Sequence, residues 1–129
     1  MIDYTYEYDR RYHPAMPAVS LWLGPALDEP AFEIEAIIDS GADATSVPIE
    51  TLKQIGANRS RRAWMRGTTG DRLLVDLYTV GVRLGPFRQG LLEVIGDNVN
   101  AEVVVGRDIL NHLVMTLNGL AGTVLVSAE

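Results

Sequence analysis

Residues 36–47 read Ala-Ile-Ile-Asp-Ser-Gly-Ala-Asp-Ala-Thr-Ser-Val, and this stretch decides the fold. An apolar run, typical of a buried strand, leads directly into Asp39-Ser40-Gly41 and then into a polar turn. A strand of this kind delivers the Asp39 carboxylate rigidly into a tight loop, with the Ser40 hydroxyl beside it. Gly41 lets the backbone bend where a Cβ would obstruct it. Asp, Ser and Gly are all common turn residues, so the apolar strand before them is what indicates a functional loop.

A second motif lies near the end of the chain. Residues 103–110 read Val-Val-Val-Gly-Arg-Asp-Ile-Leu, an apolar run that leads into a short helix. In this order the two motifs resemble those of the retroviral-type aspartic proteases, the retropepsins, which carry Asp-Ser/Thr-Gly-Ala-Asp and later Gly-Arg-Asn/Asp. The resemblance covers roughly residues 17–126. It implies a mainly β fold, a small closed barrel of the acid-protease type with one or two short helices, assembled as a homodimer.

The rest of the chain also has the pattern of a small, mainly β barrel. Short apolar or alternating runs, separated by turn residues, predict strands at residues 19–23, 32–38, 73–84, 87–95, 101–105, 114–117 and 123–126. Short helices are predicted at residues 48–55 and 106–112. The evenly spaced tyrosines near the N-terminus predict an additional strand. The predicted organisation is one domain at residues 17–129, preceded by an N-terminal extension at residues 1–16.

Composition excludes several classes of function. The 129 residues carry a net charge of −6, which argues against binding to nucleic acid or to an anionic membrane. The chain has no cysteine, so disulfide bonds and thiol catalysis are excluded. Its two histidines are far apart in sequence, and we expect neither a metal site nor a cofactor. No apolar run approaches the length of a membrane span, and the N-terminus lacks the apolar core of a signal peptide, so the expected location is the cytoplasm.

The resemblance implies a specific chemistry for Asp39. Aspartic proteases use two carboxylates about 3 Å apart that share one proton, because two like charges at that distance cannot both ionise. The chain contains one Asp-Ser-Gly, so the second carboxylate has to be Asp39 of a second chain at a twofold axis. The expected activity is that of an aspartic endopeptidase, a homodimer that cleaves peptide or protein substrates. Ser40 would reach across the axis to the partner loop and set the spacing.

The resemblance also assigns supporting roles. Asp43 and Arg107 occupy the positions of a carboxylate–guanidinium pair that pins the active-site loop to the late helix with two parallel hydrogen bonds. Gly41 completes this active-site loop. Asp108 stands where Asn is frequent in the family, and we expect its carboxylate to cap the late helix.

A flap, a hairpin that closes over the substrate, is expected between residues 61 and 77. The tip residues, which the resemblance places in contact with substrate, are Gly67, Thr68, Thr69 and Gly70. This tip is more polar than the Gly-Ile-Gly-Gly type of viral flap, and an ordinary hairpin turn is the alternative interpretation.

Two other functions remain open from the sequence. One is a dimerisation or peptide-binding module that keeps the fold without cleaving, and the other is a β-barrel with no catalytic role. In a dimer we expect the interface at the Asp39 loops and the terminal strands. Residues 123–126 are the favoured interface strand, because their apolar alternation suits addition to a partner's sheet.

Overall fold

The computed structural model describes residues 3–67 and 69–128. Within these residues the chain forms ten strands and two short helices. In chain order they are β1 (Tyr4–Glu7), β2 (Ala18–Pro25), β3 (Phe32–Ile38), β4 (Ser46–Pro48), α1 (Ile49–Gln54), β5 (Asn58–Arg66), β6 (Arg72–Leu84), β7 (Phe87–Asp97), β8 (Val103–Val105), α2 (Arg107–Leu110), β9 (Val114–Asn118) and β10 (Thr123–Ser127).

Six of these strands close into a barrel in the order β2–β3–β8–β4–β7–β6. β2 pairs with β3 and also with β6, where residues 22–25 lie opposite residues 80–83 and complete the ring. β3 runs parallel to β8, so Ile38 and Val105 end their strands side by side. The predicted fold class, a mainly β closed barrel with two short helices, is confirmed. The homodimer stays a prediction.

The barrel interior is filled by alternate residues of its strands, as the two-residue period of a β-strand requires. In β2, Val19, Leu21 and Leu23 are buried, whereas Ser20 and Trp22 between them are only partly so. The largest fully buried side chains are Leu21, Leu23, Leu52, Leu84, Ile109, Val19, Val47, Val80, Val82, Val94, Val103 and Val105. The short helices each add one of these residues, so both are packed onto the barrel core.

The two ends of the chain form a separate antiparallel sheet in the order β1–β10–β9. Val126 of β10 lies between Tyr4 of β1 and Met115 of β9. Both edges of β10 are therefore occupied within one chain, and the expectation that residues 123–126 add to a partner's sheet is wrong. The strand predicted from the N-terminal tyrosines is confirmed as β1, whose Tyr4 and Tyr6 pack against the core.

The loop after β1 is closed by backbone hydrogen bonds between Asp9 and Met16, and the Asp9 side chain is buried. Asp9 and Met16 exchange backbone hydrogen bonds of 2.8 and 3.0 Å, and the Arg11 guanidinium contacts both the Asp9 carboxylate and Glu35 of β3. Hydrogen bonds from Arg11 hold the pKa of Asp9 well below its usual range. The hydrogen bond to Asp9, together with partial burial, raises the pKa of Glu35.

The division of the chain into an N-terminal extension and a domain that begins at residue 17 stays a prediction.

β8 begins at Val103, two residues later than the sequence pattern predicts. Residues 101 and 102 form a bend, and before them the Asp97 carboxylate closes a local turn by accepting hydrogen bonds from the backbone N–H groups of Val99 and Asn100 at 2.8 and 3.1 Å. Partial burial tends to raise the pKa of Asp97, but these bonds outweigh it and the pKa is lowered.

Of the helices that the structure describes, none has the length and apolar character needed to cross a membrane.

Candidate active site

Asp39 stands at the end of β3, where the barrel strand becomes a loop. Its backbone N–H donates to the carbonyl of Val105 at 3.0 Å, which continues the pairing of β3 with β8 by one residue. The Asp39 carbonyl then accepts from Ala42 at 3.1 Å, and one carboxylate oxygen accepts from the Gly41 N–H at 2.9 Å. Asp39 and Ser40 are both exposed. The fold thus presents one oriented carboxylate to solvent from a tight, hydrogen-bonded turn.

Gly41 lies in close contact with the Asp39 carboxylate. A Cβ at this position would lie 3.1 Å from Oδ1 of Asp39, the oxygen that the Gly41 N–H holds. A side chain here would require the Asp39 carboxylate to shift slightly, and the backbone of Gly41 itself is not in the left-handed region, so the role of Gly41 in the bend stays a prediction.

Arg107 joins the loop to the start of α2. Its Nη2 forms an ion pair with Asp43, its Nη1 donates to the carbonyl of Ser40 at 2.7 Å, and its backbone N–H donates to the carbonyl of Ala42 at 2.9 Å. The guanidinium therefore divides its donors between Asp43 and the Ser40 backbone instead of making the two parallel bonds to Asp43 that the resemblance implies. Asp43 is 77% exposed, so the pair lies at the surface.

Asp108 does not cap α2. The N-cap residue is Gly106, without a side-chain hydrogen bond, and the Asp108 carboxylate turns to Thr45 instead. Thr45 donates its backbone N–H to one carboxylate oxygen at 2.9 Å and its hydroxyl to the other at 2.7 Å. The same hydroxyl accepts from the N–H of Gly106 at 3.1 Å. Thr45 is fully buried, so this network replaces the expected cap with an internal link between the two motifs.

Gly106 allows the two motifs to approach each other. A Cβ there would lie 2.6 Å from the carbonyl carbon of Ala44 and 2.7 Å from its oxygen, which is closer than real Cβ contacts. The active-site loop and the start of α2 are thus in direct backbone contact. Sequence reasoning assigned no role to Thr45 or Gly106. The signals left unused were a hydroxyl residue two positions after Asp43 and a Gly directly before a charged helix start.

The predicted flap hairpin is formed by β5 and the first part of β6. From Arg62 opposite Asp76 to Arg66 opposite Arg72 these strands pair with each other, and β6 meets β7 only from Leu77 onward. The hairpin therefore projects beyond the barrel as a two-stranded arm.

The tip of this arm is a tight turn. Gly67 donates to the carbonyl of Asp71 at 2.8 Å, and Gly70 donates to that of Gly67 at 3.0 Å. Gly70 has φ +86°, a conformation that favours glycine. Thr69 is exposed, and Thr68 lies outside the described residues. Contact between these four residues and substrate stays a prediction.

The arm exposes apolar side chains. Trp64, Leu73 and Leu74 are about half exposed, and the Arg72 guanidinium lies 5.1 Å from the Trp64 ring centroid. At the base of the arm, Glu93 of β7 accepts from Ser60 at 2.8 Å and from Arg61 at 3.0 Å. Hydrogen bonds from Arg61, and to a smaller extent from Ser60, lower the pKa of Glu93. The arm is anchored by charge at its base and presents apolar surface toward its end.

The site has a clear chemical capacity. An exposed carboxylate held by a neighbouring N–H can accept a proton from water, but it cannot at the same time donate one to a carbonyl oxygen. A single Asp39 carboxylate therefore cannot act as acid and base at once. Across residues 3–67 and 69–128, no three acidic or histidine side chains converge as metal ligands would.

Comparisons with known proteins identify the architecture. No protein-family model matches the sequence, and no curated protein does. Among solved structures, a retropepsin-like aspartic protease from Rickettsia conorii superposes with a TM-score of 0.65 at 11% identity, over 98% of this chain and 94% of that one. The EIAV protease complexed with the inhibitor HBY-793 superposes with a TM-score of 0.55 at 15% identity, over 74% of this chain and 86% of that one. The chain thus has a retropepsin-like fold, as its two motifs predict.

Proposed function

We propose that this chain, with its retropepsin-like fold, is an aspartic endopeptidase that acts as a homodimer. The observation that carries the proposal is the placement of Asp39. It is exposed at the end of a barrel strand, oriented by the Gly41 N–H, and braced through Arg107 and Thr45 to the second motif. These contacts tie the turn to residues more than sixty positions away and so fix the position of the carboxylate.

In the proposed reaction, Asp39 of each chain contributes one carboxyl group to a shared pair, of which one is protonated and the other ionised. The ionised carboxylate takes a proton from a water held between the two groups, and the water oxygen bonds to the scissile carbonyl carbon. The protonated carboxyl gives its proton to the carbonyl oxygen. The tetrahedral intermediate then collapses, its C–N bond breaks, and the departing amine takes a proton from the pair.

The loop contacts support this chemistry by limiting motion. Two carboxylates must be held about 3 Å apart for one proton to be shared. Arg107 holds the Ser40 carbonyl and the Ala42 carbonyl at once, so the backbone on either side of Gly41 is tied to α2. Ser40 is exposed beside Asp39 and is available to bond to the partner loop across the twofold axis.

The projecting arm supports a peptide or protein as the substrate. Its backbone can pair with an extended peptide, and its exposed Trp64, Leu73 and Leu74 offer apolar contacts. The polar tip around Thr69 favours a second candidate, a module that binds peptides or dimerises without cleaving them. Both candidates use the same arm, so cleavage itself has to be measured.

The test is incubation of the purified protein with a peptide library between about pH 4 and 7, because the second pKa of a carboxylate pair is about 4.7 in one known protease and higher in others. Proteolysis that a statine-type inhibitor blocks, and that is absent from an Asp39→Asn preparation, is the expected result. Activity per chain should rise with protein concentration until the dimer dominates. Peptide binding without cleavage by the wild-type protein at every pH would favour the second candidate.

A further inference from the structure

We propose that the outer face of the projecting arm is a docking surface for an acidic segment of the substrate, outside the peptide bond that is cleaved. The outer face consists of six residues in three directly opposed pairs, Arg62 with Asp76, Trp64 with Leu74 and Arg66 with Arg72. The choice of the substrate as occupant rests on the proposed function. The chemistry of the occupant, carboxylates beside apolar side chains, rests on the arm alone.

The outer face points away from the barrel interior. Successive side chains of a strand alternate between the two faces of a sheet, and directly opposed residues share one face. Met65, Leu73 and Leu77 therefore lie on the other face of the hairpin, and Leu77 is buried. A ligand on the outer face thus leaves the opposite face of the arm free for the segment that is cleaved.

The arm concentrates positive charge in an acidic chain. Residues 58–76 contain five arginines and two aspartates, whereas the whole chain has a net charge of −6. A negatively charged ligand is therefore repelled by the molecule as a whole and attracted to the arm. The arm is the part of the chain whose charge complements an acidic segment.

Three of these five arginines are neutralised near the base of the arm. Asp76 lies 3.6 Å from Arg59 and 3.1 Å from Arg62. Glu93 of β7 lies 3.0 Å from Arg61. The other two arginines lie farther out, beyond the reach of these carboxylates, and they supply the charge that a ligand would meet.

Arg66 and Arg72 face each other as the last strand pair before the tip. Like charges directly opposite each other destabilise a β-sheet. Among the residues that the structure describes, neither guanidinium has an ion-pair partner, and Arg72 lies 5.1 Å from the Trp64 ring centroid. In the tip, the Asp71 carboxylate accepts from the Thr69 hydroxyl at 3.4 Å. A ligand carboxylate between the two guanidiniums would remove their repulsion and accept two parallel hydrogen bonds from an arginine.

An apolar pair lies next to the arginine pair. Trp64 and Leu74 are directly opposed, and they are 58% and 49% exposed. Two residues of a strand rise about 6.4–6.8 Å, which is the spacing between the two pairs along the arm. An extended peptide has the same rise, and its residues two positions apart share one face. The outer face therefore fits an acidic and an apolar side chain two positions apart, as in Glu-x-Leu.

Binding is measured with a fluorescein-labelled peptide in which Glu and Leu stand two positions apart, and with the same peptide carrying Gln for Glu. The Asp39→Asn chain is used, so that the probe is not cut. We expect fluorescence anisotropy to rise with the Glu peptide only, and binding to weaken at higher salt because the surface is exposed. Equal binding of the two peptides overturns the proposal.

Variants of the arm locate the binding. Arg66→Ala should raise the Kd of the Glu peptide about two- to fivefold, the size expected for one exposed ion pair. Arg10→Ala makes the same change of charge at an exposed position in the loop after β1 and should leave the Kd unchanged. Trp64→Ala should also weaken binding, whereas Leu120→Ala, at the fully exposed tip of the last hairpin, should not. An Arg66→Ala chain with a wild-type circular dichroism spectrum and an unchanged Kd overturns the surface.

Cleavage kinetics in the presence of Asp39 identify the occupant. A substrate that carries a Glu-x-Leu segment outside the cleaved bond should have a lower KM than its Gln counterpart at the same kcat. Such a split is the signature of binding that is equal in the ground state and the transition state. Arg66→Ala should abolish this difference in KM, because its side chain lies on the face turned away from the cleaved segment.

The outcomes separate this proposal from the proposed function. Binding of the Glu peptide that Arg66→Ala weakens, without cleavage of any peptide, supports the acidic-ligand surface and contradicts the endopeptidase. Cleavage without any preference for the Glu peptide overturns the docking surface and leaves the endopeptidase standing. A single-stranded oligonucleotide that binds the arm more tightly than the Glu peptide at the same ionic strength also overturns the docking surface.

Discussion

Asp108 holds Thr45 with both of its carboxylate oxygens, one on the Thr45 backbone N–H at 2.9 Å and one on its hydroxyl at 2.7 Å. The two residues are 63 positions apart in the sequence. Because Thr45 is buried and its hydroxyl also accepts from Gly106, this contact joins the two motifs in the interior. The Asp43–Arg107 pair joins them a second time at the surface. The two links differ in burial, so we expect their loss to have different effects.

Asp39→Asn should abolish peptide cleavage and leave the fold intact. An amide cannot accept the proton that the water gives up, and loss of positioned acid–base catalysis typically lowers a rate by about 100- to 10,000-fold. Hydrolysis rates and thermal unfolding of the purified variant check this. Asp28→Asn, an exposed carboxylate in the loop after β2, is the control and should cleave at the wild-type rate. Normal turnover by Asp39→Asn would show that its carboxylate is not catalytic.

Thr45→Val should destabilise the fold by about 1–3 kcal/mol, because it leaves the buried Gly106 N–H and a part-buried Asp108 oxygen without their partner. Asp43→Ala should lower stability by only about 0–1 kcal/mol, because that ion pair is exposed to solvent. Urea unfolding followed by circular dichroism measures both. Equal losses for the two variants would mean that the buried link is not the stronger one.

Gly106→Ala should displace the active-site loop. Its Cβ would meet the Ala44 carbonyl carbon at 2.6 Å, and backbone cannot move aside as a flexible side chain can. Overpacking of this kind typically costs about 1–3 kcal/mol, and we expect activity to fall as well. Gly119→Ala is the matched control, since no atom lies within 4 Å of its Cβ position. Unfolding curves that coincide for the two variants would exclude the close approach at Gly106.

The Asp9–Arg11–Glu35 cluster should make stability depend on pH. Asp9 holds the pKa of Glu35 above its ordinary value of 4.5, so the folded chain binds more protons there than the unfolded chain does. Stability from Glu35 is therefore fully present below about pH 4.5 and is lost as the pH rises through the raised value. Asp9, with a lowered pKa, has the opposite dependence at lower pH.

Glu35→Gln tests this relationship, because the amide does not ionise. The melting temperature of the variant relative to wild type should rise as the pH increases above about 4.5 and then level off. Glu102→Gln serves as the exposed control and should follow the wild-type curve. A difference between Glu35→Gln and wild type that is independent of pH would contradict the raised pKa of Glu35.

Most of the fold follows from local sequence patterns. Alternating and apolar runs predicted the strands around Asp39, the flap hairpin and the short helices, because strand and helix periodicities are written in neighbouring residues. The two motifs predicted the retropepsin-like fold and the contact of Asp43 with Arg107. The start of β8 was predicted two residues early, since the strand pattern does not record that residues 101 and 102 form a bend after the Asp97 turn.

The sequence by itself determined which residues stand at the ends of strands, and the tertiary structure decided which of them meet. The sequence allows Asp108 either to cap α2 or to bond to Thr45, and the pairing of β4 with β8, which sets Ser46 opposite Val104, brings Thr45 within reach. Residues 123–126 have the alternation of an edge strand, yet the return of β1 makes β10 a central strand and leaves β9 at the edge. Such choices depend on contacts between distant segments, which close only when the whole barrel has formed, and local propensity therefore cannot decide them.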